Sequence, residues 1–371
     1  MDVIRPYLVQ LKGVMELLDS LIRLAQHTFG EELSHPEILK GDGSDRQIYR
    51  FRRGEESWIG VTNPNIAENQ AFIFLSGHLA QCGIPVPEIY ISDVEQTCYL
   101  LEDLGHLSFA DCLGQWSRTE PVDTTAILNA YQKVLYWLPR IQFEGDQGLD
   151  YTFCFRDHEL DRSVFQWDVT YFKQSFWKLF ASHYPFDDAV DQDLEALIQY
   201  VGNVERQVLV VRDFQPRNIM WREGEPYFID YQMGCRGAIH YDIATLLYAF
   251  TSGLDDQLRE SLIDTYLREL RPWLPLSPVQ FLNDFYHFVL IRRLRSLGTY
   301  GFLASQRGKP HFLKAVPRTI QEIDDLLDHR HALSSLSHLK ALFSQWKQDE
   351  RLSQVSALYH QLGLPDLPHF S

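Results

Sequence analysis

The segment from Val208 to Asp230 constrains this chain more than any other part of its sequence. Short apolar runs follow one another in it, and a turn around Gly224 separates the last two. Apolar runs joined by a glycine-containing turn predict a β-hairpin. With the turn centred on Gly224, Asn218 and Asp230 face each other across the open end, within roughly 5 Å at their Cβ atoms. Asp213 lies on the loop that enters the same end, so one amide and two carboxylates are predicted to meet there.

An amide and two carboxylates at one point suit a divalent cation and a proton acceptor. Mg²⁺ binds oxygen ligands, typically one or two carboxylates together with phosphate oxygens and water. A separate carboxylate can accept the proton of an attacking hydroxyl, and the pattern R-D-x-x-x-x-N followed by a second Asp divides these tasks. Asp213 is then the candidate catalytic base, and Asn218 and Asp230 are the candidate metal ligands. Turns also favour Asp and Asn, so each residue alone has an ordinary structural explanation.

These motifs resemble those of the aminoglycoside-phosphotransferase and choline-kinase superfamily, which shares the protein-kinase fold. The resemblance is carried by VRDFQPRNIMW and by YFIDYQMGCRGAIHYDIATLL. Three further segments are similar to one bacterial branch, the anomeric kinases of N-acetylmuramate and N-acetylglucosamine: GDGSDRQIYRF, YLLEDLG and RRLRSLGTYGFLASQRGKPHFLKAVPRT. Together they span Gly41 to about Thr319. The resemblance implies transfer of phosphate to the anomeric hydroxyl of an amino sugar, in cell-wall sugar recycling.

The fold implied by the resemblance is α+β, a bilobal protein-kinase-like fold with a small β-rich N-terminal lobe and a larger helical C-terminal lobe. The lobes are predicted at residues 1–104 and 105–371. In the first, RQIYRFRR and ESWIGVTN predict a hairpin around Gly54. A helix is predicted to follow, with Asn65 and Glu68 as its capping box and Gly83 as its end. IPVPEIYIS and TCYLLEDLG predict two further strands, and helical periodicity dominates beyond Gly105 except between residues 207 and 230.

The resemblance implies ATP and Mg²⁺ as cofactors and assigns the nucleotide contacts. Loop residues would cradle the phosphates, a helix carboxylate would orient a phosphate-binding cation, and the lobe junction would lie against adenine. These nucleotide-binding candidates are Gly43, Ser44, Asp45, Arg46, Glu68, Leu101, Glu102 and Asp103. Exposed backbone N–H groups of such a loop can bind phosphate oxygens. A turn before a strand and the capping box explain the loop and Glu68 equally well as structure.

Acceptor contacts are expected from the helical lobe and the catalytic loop. The substrate-binding candidates are Arg212, Arg217, Arg293 and Tyr300. A cation near the transferring group would stabilise its negative charge, whereas surface ion pairs and a solvated helix face are the ordinary alternatives. Asp242 at the start of YDIATLLYAF is expected to support the catalytic loop, or simply to cap its helix.

The sequence departs from the kinase pattern in two places. Val211 stands where the motif has His, a residue that braces the loop and transfers no proton. The strand SWIGVTNP contains no Lys for the α- and β-phosphates, so Arg46 or Arg50 is expected to supply the cation.

Composition limits the partners of this chain. Its net charge of −16 lacks the clustered basic residues of a nucleic-acid surface, and no apolar run approaches the roughly 20 residues of a membrane span. Lys12, Glu16 and Asp19 interrupt any signal-peptide core; the N-terminal apolar residues recur instead at helical spacing, at Leu17, Leu18, Leu21, Ile22 and Ala25. Five cysteines without a C-x-x-C pair favour a reducing compartment. We expect a cytoplasmic monomer or weak dimer that acts on a small sugar.

Two alternatives remain open at this stage. A kinase for another small acceptor, such as an aminoglycoside, a choline-like amino alcohol or another sugar, fits the same motifs. An acidic acceptor pocket would favour a cationic substrate of that kind. A catalytically inactive nucleotide-binding pseudokinase would explain Val211 and the missing Lys, but it has no need for Asp213, Asn218 and Asp230 together.

Overall fold

The computed structural model describes residues 4–39, 46–185 and 187–363, with side chains from residue 15 onward. By packing, the chain divides into two compact units. Unit 1 comprises Met1–His158 with Pro216–Gly234, and unit 2 comprises Glu159–Gln215 with Cys235–Ser371. The predicted lobes, with a boundary after residue 104, are each one continuous segment, whereas each packing unit consists of two segments. The lobe boundary therefore stays a prediction. In the described ranges, no helix is both long enough and apolar enough to cross a bilayer.

A five-stranded antiparallel sheet lies in unit 1, with the strand order β1-β2-β3-β5-β4. Its strands are β1 (Glu37–Leu39), β2 (Gln47–Arg53), β3 (Glu56–Thr62), β4 (Ile89–Ser92) and β5 (Cys98–Glu102). The predicted hairpin around Gly54 is confirmed: β2 pairs with β3, and Gly54 has a φ of +61°, which glycine adopts without steric cost. The two further strands predicted from sequence are β4 and β5.

The N-terminal helix α1 (Ile4–Phe29) packs on this sheet through the apolar face that its periodicity predicts. Leu21 and Ala25 are fully buried there, in a core cluster with Tyr49, Phe51, Cys98 and Leu100. A Cβ at Gly60 of β3 would lie 2.7 Å from the Phe51 ring and 2.9 Å from Leu21. Glycine is therefore required where the helix approaches the strand.

Helix α2 (Ile66–Gln81) begins and ends as the sequence predicts, but its capping box is only half formed. The Asn65 side chain accepts the N–H of Glu68 at 3.3 Å, and Gly83 follows the helix with a φ of +75°. The N–H of Asn65 donates to Asn63 Oδ1 at 3.0 Å, where a capping box would direct it to Glu68. The prediction of a capping box at Glu68 is wrong in that half, because the Glu68 carboxylate is engaged elsewhere.

Two helices and a second hairpin complete the regular structure described for unit 1. They are α3 (Phe109–Trp116), α4 (Thr124–Phe143), β7 (Ile219–Arg222) and β8 (Glu225–Phe228). Backbone hydrogen bonds connect this hairpin to earlier segments of unit 1. The N–H of Trp221 donates to Leu107 O at 2.8 Å, and the N–H of Phe228 donates to Pro85 O at 2.8 Å. The hairpin therefore belongs to unit 1 although the segments before and after it in sequence belong to unit 2.

Unit 2 is helical around one short strand pair. Its helices are α5 (Arg162–Phe172), α6 (Lys178–Phe180), α7 (Asp188–Asn203), α8 (His240–Leu247), α9 (Asp256–Leu270), α10 (Pro278–Gln306), α11 (Val316–His329), α12 (Ser337–Gln348), α13 (Glu350–Ser353) and α14 (Val355–Gln361). A π-helical turn (Lys173–Trp177) follows α5. The strands β6 (Val208–Val210) and β9 (Cys235–Gly237) pair antiparallel. Three residues, Cys-Arg-Gly, form β9, too few to show a strand pattern in the sequence.

Candidate active site

In the hairpin formed by β7 and β8, the pairing of the strands is shifted by one residue from the predicted register. Ile219 pairs with Phe228, because the turn has two central residues, Glu223 and Gly224, both with positive φ (+53° and +83°). This is the pattern of a type I′ turn, whose twist matches the flanking strands. The centring of the turn on Gly224 was therefore wrong, since it assumed an odd number of turn residues.

Asn218 and Asp230 nevertheless meet. Asn218 Nδ2 donates to Asp230 Oδ2 at 3.2 Å, and the N–H of Ile229 donates to Asn218 O at 3.1 Å. Asn218 ends a 3-10 turn before β7, and Asp230 has left the strand with a φ of +65°. Both residues lie outside the paired strands, so their contact survives the change of register.

Asp230 is held as a carboxylate by its neighbours. Arg46 Nη2 donates to its Oδ1, and Gln232 Nε2 donates to the same oxygen at 3.1 Å. Burial opposes ionisation, yet the charge of Arg46, the Gln232 amide and the charge of Arg217 hold the pKa of Asp230 below its usual value. The ionised carboxylate is the form that a metal ion binds.

Glu68 and Arg46 join this cluster. The Glu68 carboxylate lies 3.6 Å from Arg46 Nε and accepts from Gln232 Nε2 at 3.3 Å and Asn63 Nδ2 at 3.1 Å. Arg46 thus connects a helix carboxylate to the candidate metal ligand Asp230. Of the two arginines predicted to supply a cation in place of the missing strand Lys, Arg46 is thus in contact with Asp230.

The other arginine considered for that role is engaged elsewhere. Arg50 donates to both oxygens of Asp103, at 2.6 and 3.0 Å, and to Gly105 O at 2.8 Å. Burial opposes ionisation of Asp103, but these hydrogen bonds hold its pKa below the usual value. Leu101 is buried in β5, and Glu102 accepts from Arg222 Nη1 at 2.5 Å. Two of the predicted junction residues, Glu102 and Asp103, are therefore ion-paired with arginines at the end of β5.

The predicted phosphate loop residues Gly43, Ser44 and Asp45 lie outside the described residues.

The candidate base Asp213 lies in unit 2, after β6, on a loop that Asp242 holds. The Asp242 carboxylate accepts the backbone N–H of Val211 at 2.7 Å and that of Arg212 at 3.0 Å, and Arg212 has a φ of +72°. Burial raises the pKa of Asp242 to about 7, against the two backbone hydrogen bonds and Arg292. The loop is thus braced through backbone N–H groups, which Val211 supplies as well as a His would.

Asp213 itself is half-buried beside a cation. Arg292 Nη2 lies 3.9 Å from Asp213 Oδ1, and Arg292 Nη1 donates to the Tyr241 hydroxyl at 2.6 Å. Helix α10 directs Arg292 toward the Asp213 carboxylate, although the sequence analysis named the neighbouring Arg293 as the candidate. The rotation of the helix about its axis determines which of the adjacent arginines faces Asp213, and the segment IRRLR does not reveal that rotation.

Arg293 and Tyr300 point into unit 2. Arg293 is 2% exposed and donates to Tyr248 O at 2.7 Å and Thr319 at 2.6 Å, with Glu322 2.7 Å away. Tyr300 is buried, and its ring stacks with that of Phe312. Burial leaves neither side chain a surface for an acceptor, so their substrate contacts find no support in this placement.

Two further arginine candidates differ in exposure. Arg212 is buried and follows Val211 in the loop held by Asp242. Arg217 is exposed on the 3-10 turn Pro216–Asn218 of unit 1, where its charge acts on Asp230. The sequence analysis did not identify Gln232 as a site residue. Its position two residues after Asp230 was the only feature that could have indicated it.

The donor set in unit 1 fits Mg²⁺. Asn218 offers an amide oxygen and Asp230 an ionised carboxylate, both hard oxygen ligands. One or two protein ligands suffice where nucleotide phosphates supply the rest.

Comparisons with known proteins show the family and the fold of this chain. Residues 39–276 match the model of the phosphotransferase enzyme family. An N-acetylmuramate/N-acetylglucosamine kinase of Pseudomonas aeruginosa is 27% identical over 319 residues, which cover 82% of this chain and 87% of that protein. The kinase of the same name from Pseudomonas putida is 25% identical over 81% of this chain and 86% of its own. A choline kinase structure from Streptococcus pneumoniae covers 83% of this chain and 99% of its own, with a TM-score of 0.57 and 15% identity. The predicted α+β protein-kinase-like fold is confirmed.

Proposed function

Since this chain belongs to the phosphotransferase enzyme family, we propose that it transfers a phosphoryl group from ATP to the anomeric hydroxyl of an amino sugar, N-acetylmuramate or N-acetylglucosamine. It is an ATP-dependent small-molecule kinase. The names of its relatives support the choice of acceptor.

The observation that carries the proposal is the cluster around Asp230. An amide, an ionised carboxylate, a guanidinium and a helix carboxylate are joined there by direct contacts. The contact between Asn218 and Asp230 would alone join the two ends of the hairpin, so a merely structural role does not require the added charges of Arg46 and Glu68. A cation bridging two carboxylates in this way suits a site in which phosphate and a metal ion later share the same charges.

Each residue of the cluster receives a role in this proposal. Asn218 and Asp230 would hold Mg²⁺, and Arg46, oriented by Glu68, would bind nucleotide phosphate. When bound, Mg²⁺ neutralises charge on the β- and γ-phosphates. Backbone N–H groups at Gly43, Ser44 and Asp45 would bind phosphate oxygens, and the segment Leu101–Asp103 would lie against adenine.

Asp213 is the proposed catalytic base. It would orient the acceptor hydroxyl and take its proton, so that catalysis consists mainly of positioning and electrostatics. The anomeric hydroxyl of a hemiacetal is more acidic than an ordinary alcohol, which moderates the demand on the carboxylate. Asp242 supports this role by accepting two N–H groups of the loop that carries Asp213.

The test is ADP release with ATP and Mg²⁺ against a panel of acceptors, with phosphorus NMR on the product. The panel contains N-acetylmuramate, N-acetylglucosamine, neutral hexoses, choline and an aminoglycoside. We expect a sugar 1-phosphate from an N-acetylated amino sugar. Turnover confined to choline or an aminoglycoside would keep the kinase and overturn the proposed acceptor. ATP binding without turnover of any acceptor would favour the pseudokinase.

The base is tested by Asp213→Asn. We expect ATP affinity to change little and kcat to fall by about 10³-fold or more, because general-base catalysis and acceptor orientation are both lost. Asp264→Asn is the matched control, since Asp264 is exposed on α9. Turnover retained in Asp213→Asn would refute the assignment.

A further inference from the structure

An exposed tryptophan stands on unit 2 beside the charged network of Asp213. Trp167 of α5 is 51% exposed, and its indole stacks on Tyr171 one turn later, with ring centroids 4.9 Å apart and planes 12° apart. The stack holds the indole in place while half of its surface stays open. A fixed, open aromatic surface is a typical wall of a small-molecule site.

Arg295 connects this indole to the candidate base. Its guanidinium carbon lies 5.3 Å from the Trp167 ring centre, and its Nη1 donates to Asp168. Burial by itself would lower the pKa of Arg295, but the charges of Asp168, Tyr241 and Asp213 raise it overall. The charge of Asp213 therefore acts on Arg295, and Arg295 in turn contacts the Trp167 ring.

The same network contains buried polar atoms without a partner. In the described part of the chain, Asp168 Oδ2 and Arg292 Nε are buried and have no hydrogen-bond partner. Arg292 lies 3.9 Å from Asp213, and its guanidinium carbon lies 4.8 Å from the Tyr241 ring centre. Unpaired buried polar atoms are costly unless a ligand completes them.

The local charge around Asp213 differs from that of the whole chain. The guanidinium groups of Arg212, Arg292 and Arg295 lie near the carboxylates of Asp168, Asp213 and Asp242, and Asp242 is only partly ionised near neutral pH because burial raises its pKa to about 7. A net positive surrounding attracts an anionic acceptor and repels a cationic one. Arginine also binds carboxylates with a planar fork of donors.

We propose that Trp167, Arg292 and Arg295 form the acceptor subsite beside Asp213, and that this subsite selects a pyranose bearing a carboxylate. The inference rests on the proposed function and narrows it. The indole packs against the sugar ring, and the arginines bind the carboxylate. N-acetylmuramate carries a lactyl carboxylate that N-acetylglucosamine lacks, so the two sugars are a matched pair of probes. Cationic acceptors are excluded by the same charges.

The arginine is tested by kcat/KM for the two sugars. We expect the wild-type protein to favour N-acetylmuramate, and Arg292→Gln to reduce that preference about tenfold to hundredfold, the range of one charged hydrogen bond. Arg292→Lys should retain an intermediate preference, because it keeps the charge without the fork. Arg351→Gln, an exposed arginine of the same unit, is the control. Arg292 also contacts Asp213, so a loss equal for both sugars would indicate positioning only and overturn the subsite.

The aromatic wall is tested separately. Trp167→Ala should raise KM about tenfold for both sugars with little change in kcat, and Trp167→Phe should recover part of the loss. Phe250→Ala, a similarly exposed aromatic of unit 2, is expected to change nothing. An unchanged KM in Trp167→Ala would remove the indole from the subsite.

A measurement on the unaltered protein guards against variants that fail to fold. Binding of N-acetylmuramate should weaken with rising salt, whereas binding of N-acetylglucosamine should not. Equal salt dependence overturns the inference and leaves the proposed function standing. Turnover of neither sugar overturns both, as does preferred turnover of choline or an aminoglycoside.

Discussion

At the scale of single residues, the structure distinguishes Arg46 from Arg50, the two candidates for the cation of the missing strand Lys. The sequence offered Arg46 and Arg50 on equal terms, because both lie in or next to a strand near the predicted loop. Arg50 is committed to Asp103, whereas Arg46 contacts both Glu68 and Asp230. Which of two nearby arginines meets a distant carboxylate depends on tertiary contacts that sequence spacing does not contain.

Arg46→Gln should therefore weaken ATP binding. We expect the Kd for ATP to rise about tenfold or more, since a charged phosphate contact is lost. The apo protein should lose stability too, because Asp230 loses its cation. Nucleotide titration and thermal unfolding measure the two effects. Arg52→Gln is the control, with its exposed side chain on β2, the strand that directly follows Arg46, and equal ATP affinity in both variants would contradict the role.

Glycine in the segment LGTYGF has a packing reason. A Cβ at Gly301 of α10 would lie 2.0 Å from the backbone oxygen of Ser175, in the π-helical turn. Gly77 of α2 has nothing within 4 Å of the same position. The two helical glycines are therefore a matched pair, one required by close approach and one not.

Gly301→Ala should destabilise the protein by about 3 kcal/mol or more, because backbone cannot yield to the added methyl group. Gly77→Ala should stabilise it by about 0.5–1 kcal/mol through helix propensity. Denaturant unfolding of both variants measures the difference. A neutral Gly301→Ala would show that α10 and the π-helical turn can separate at little cost.

At the scale of elements, the hairpin illustrates what sequence can and cannot fix. The alternation of apolar residues predicted both strands, and the contact between Asn218 and Asp230 followed from their places at the open end. The predicted register was wrong because the turn contains Glu223 as well as Gly224, both with positive φ, a conformation that glutamate rarely adopts. Strand β9 was missed for a different reason, since only its pairing with β6 makes three residues extended.

Glu223→Asn should stabilise the hairpin by about 0.5–1 kcal/mol, because Asn-Gly is the preferred pair of a type I′ turn. Glu223→Gln is the matched control: it removes the same charge and keeps a side chain that disfavours positive φ. Thermal unfolding of the two variants separates backbone strain from charge. Equal gains in both would attribute the effect to charge.

At the scale of the whole molecule, the division of the chain was beyond sequence reasoning. The hairpin segment Pro216–Gly234 packs with unit 1 although it interrupts unit 2, and backbone bonds to Leu107 and Pro85 cause this. Such bonds join residues more than a hundred positions apart, which periodicity cannot reveal. The net charge of −16 was similarly uninformative about the acceptor, because three guanidinium groups lie among the carboxylates around Asp213 in unit 2.

The dependence of stability on pH follows from a buried histidine of unit 2. His240, the first residue of α8, stacks between Phe281 and Phe288, with centroid distances of 4.8 and 5.5 Å. Within the described ranges, neither ring nitrogen has a hydrogen-bond partner. Burial lowers the pKa of His240 from 6.5 to about 4, and the charge of Asp284 offsets this only in part. The fold therefore holds the imidazole neutral.

Because folding lowers the pKa of His240, its burial costs no stability above pH 6.5, where the ring is neutral in both states. Stability is lost as the pH falls from 6.5 toward 4, because the unfolded chain takes up a proton that the folded chain excludes. The loss attributable to His240 is about 3 kcal/mol. Burial lowers the pKa of His287 as well, so some acid sensitivity will remain in any variant of His240 alone.

His240→Phe should accordingly flatten the stability curve between pH 6.5 and 4. Urea unfolding of the wild-type protein and the variant at intervals of pH gives the free energy of unfolding, and the difference between the two curves isolates His240 from His287. We expect the difference to be constant above pH 6.5 and to shift in favour of the variant by about 3 kcal/mol toward pH 4. Parallel curves would mean that a proton reaches the ring in the folded state, and that the packing of Phe281 and Phe288 opens at little cost.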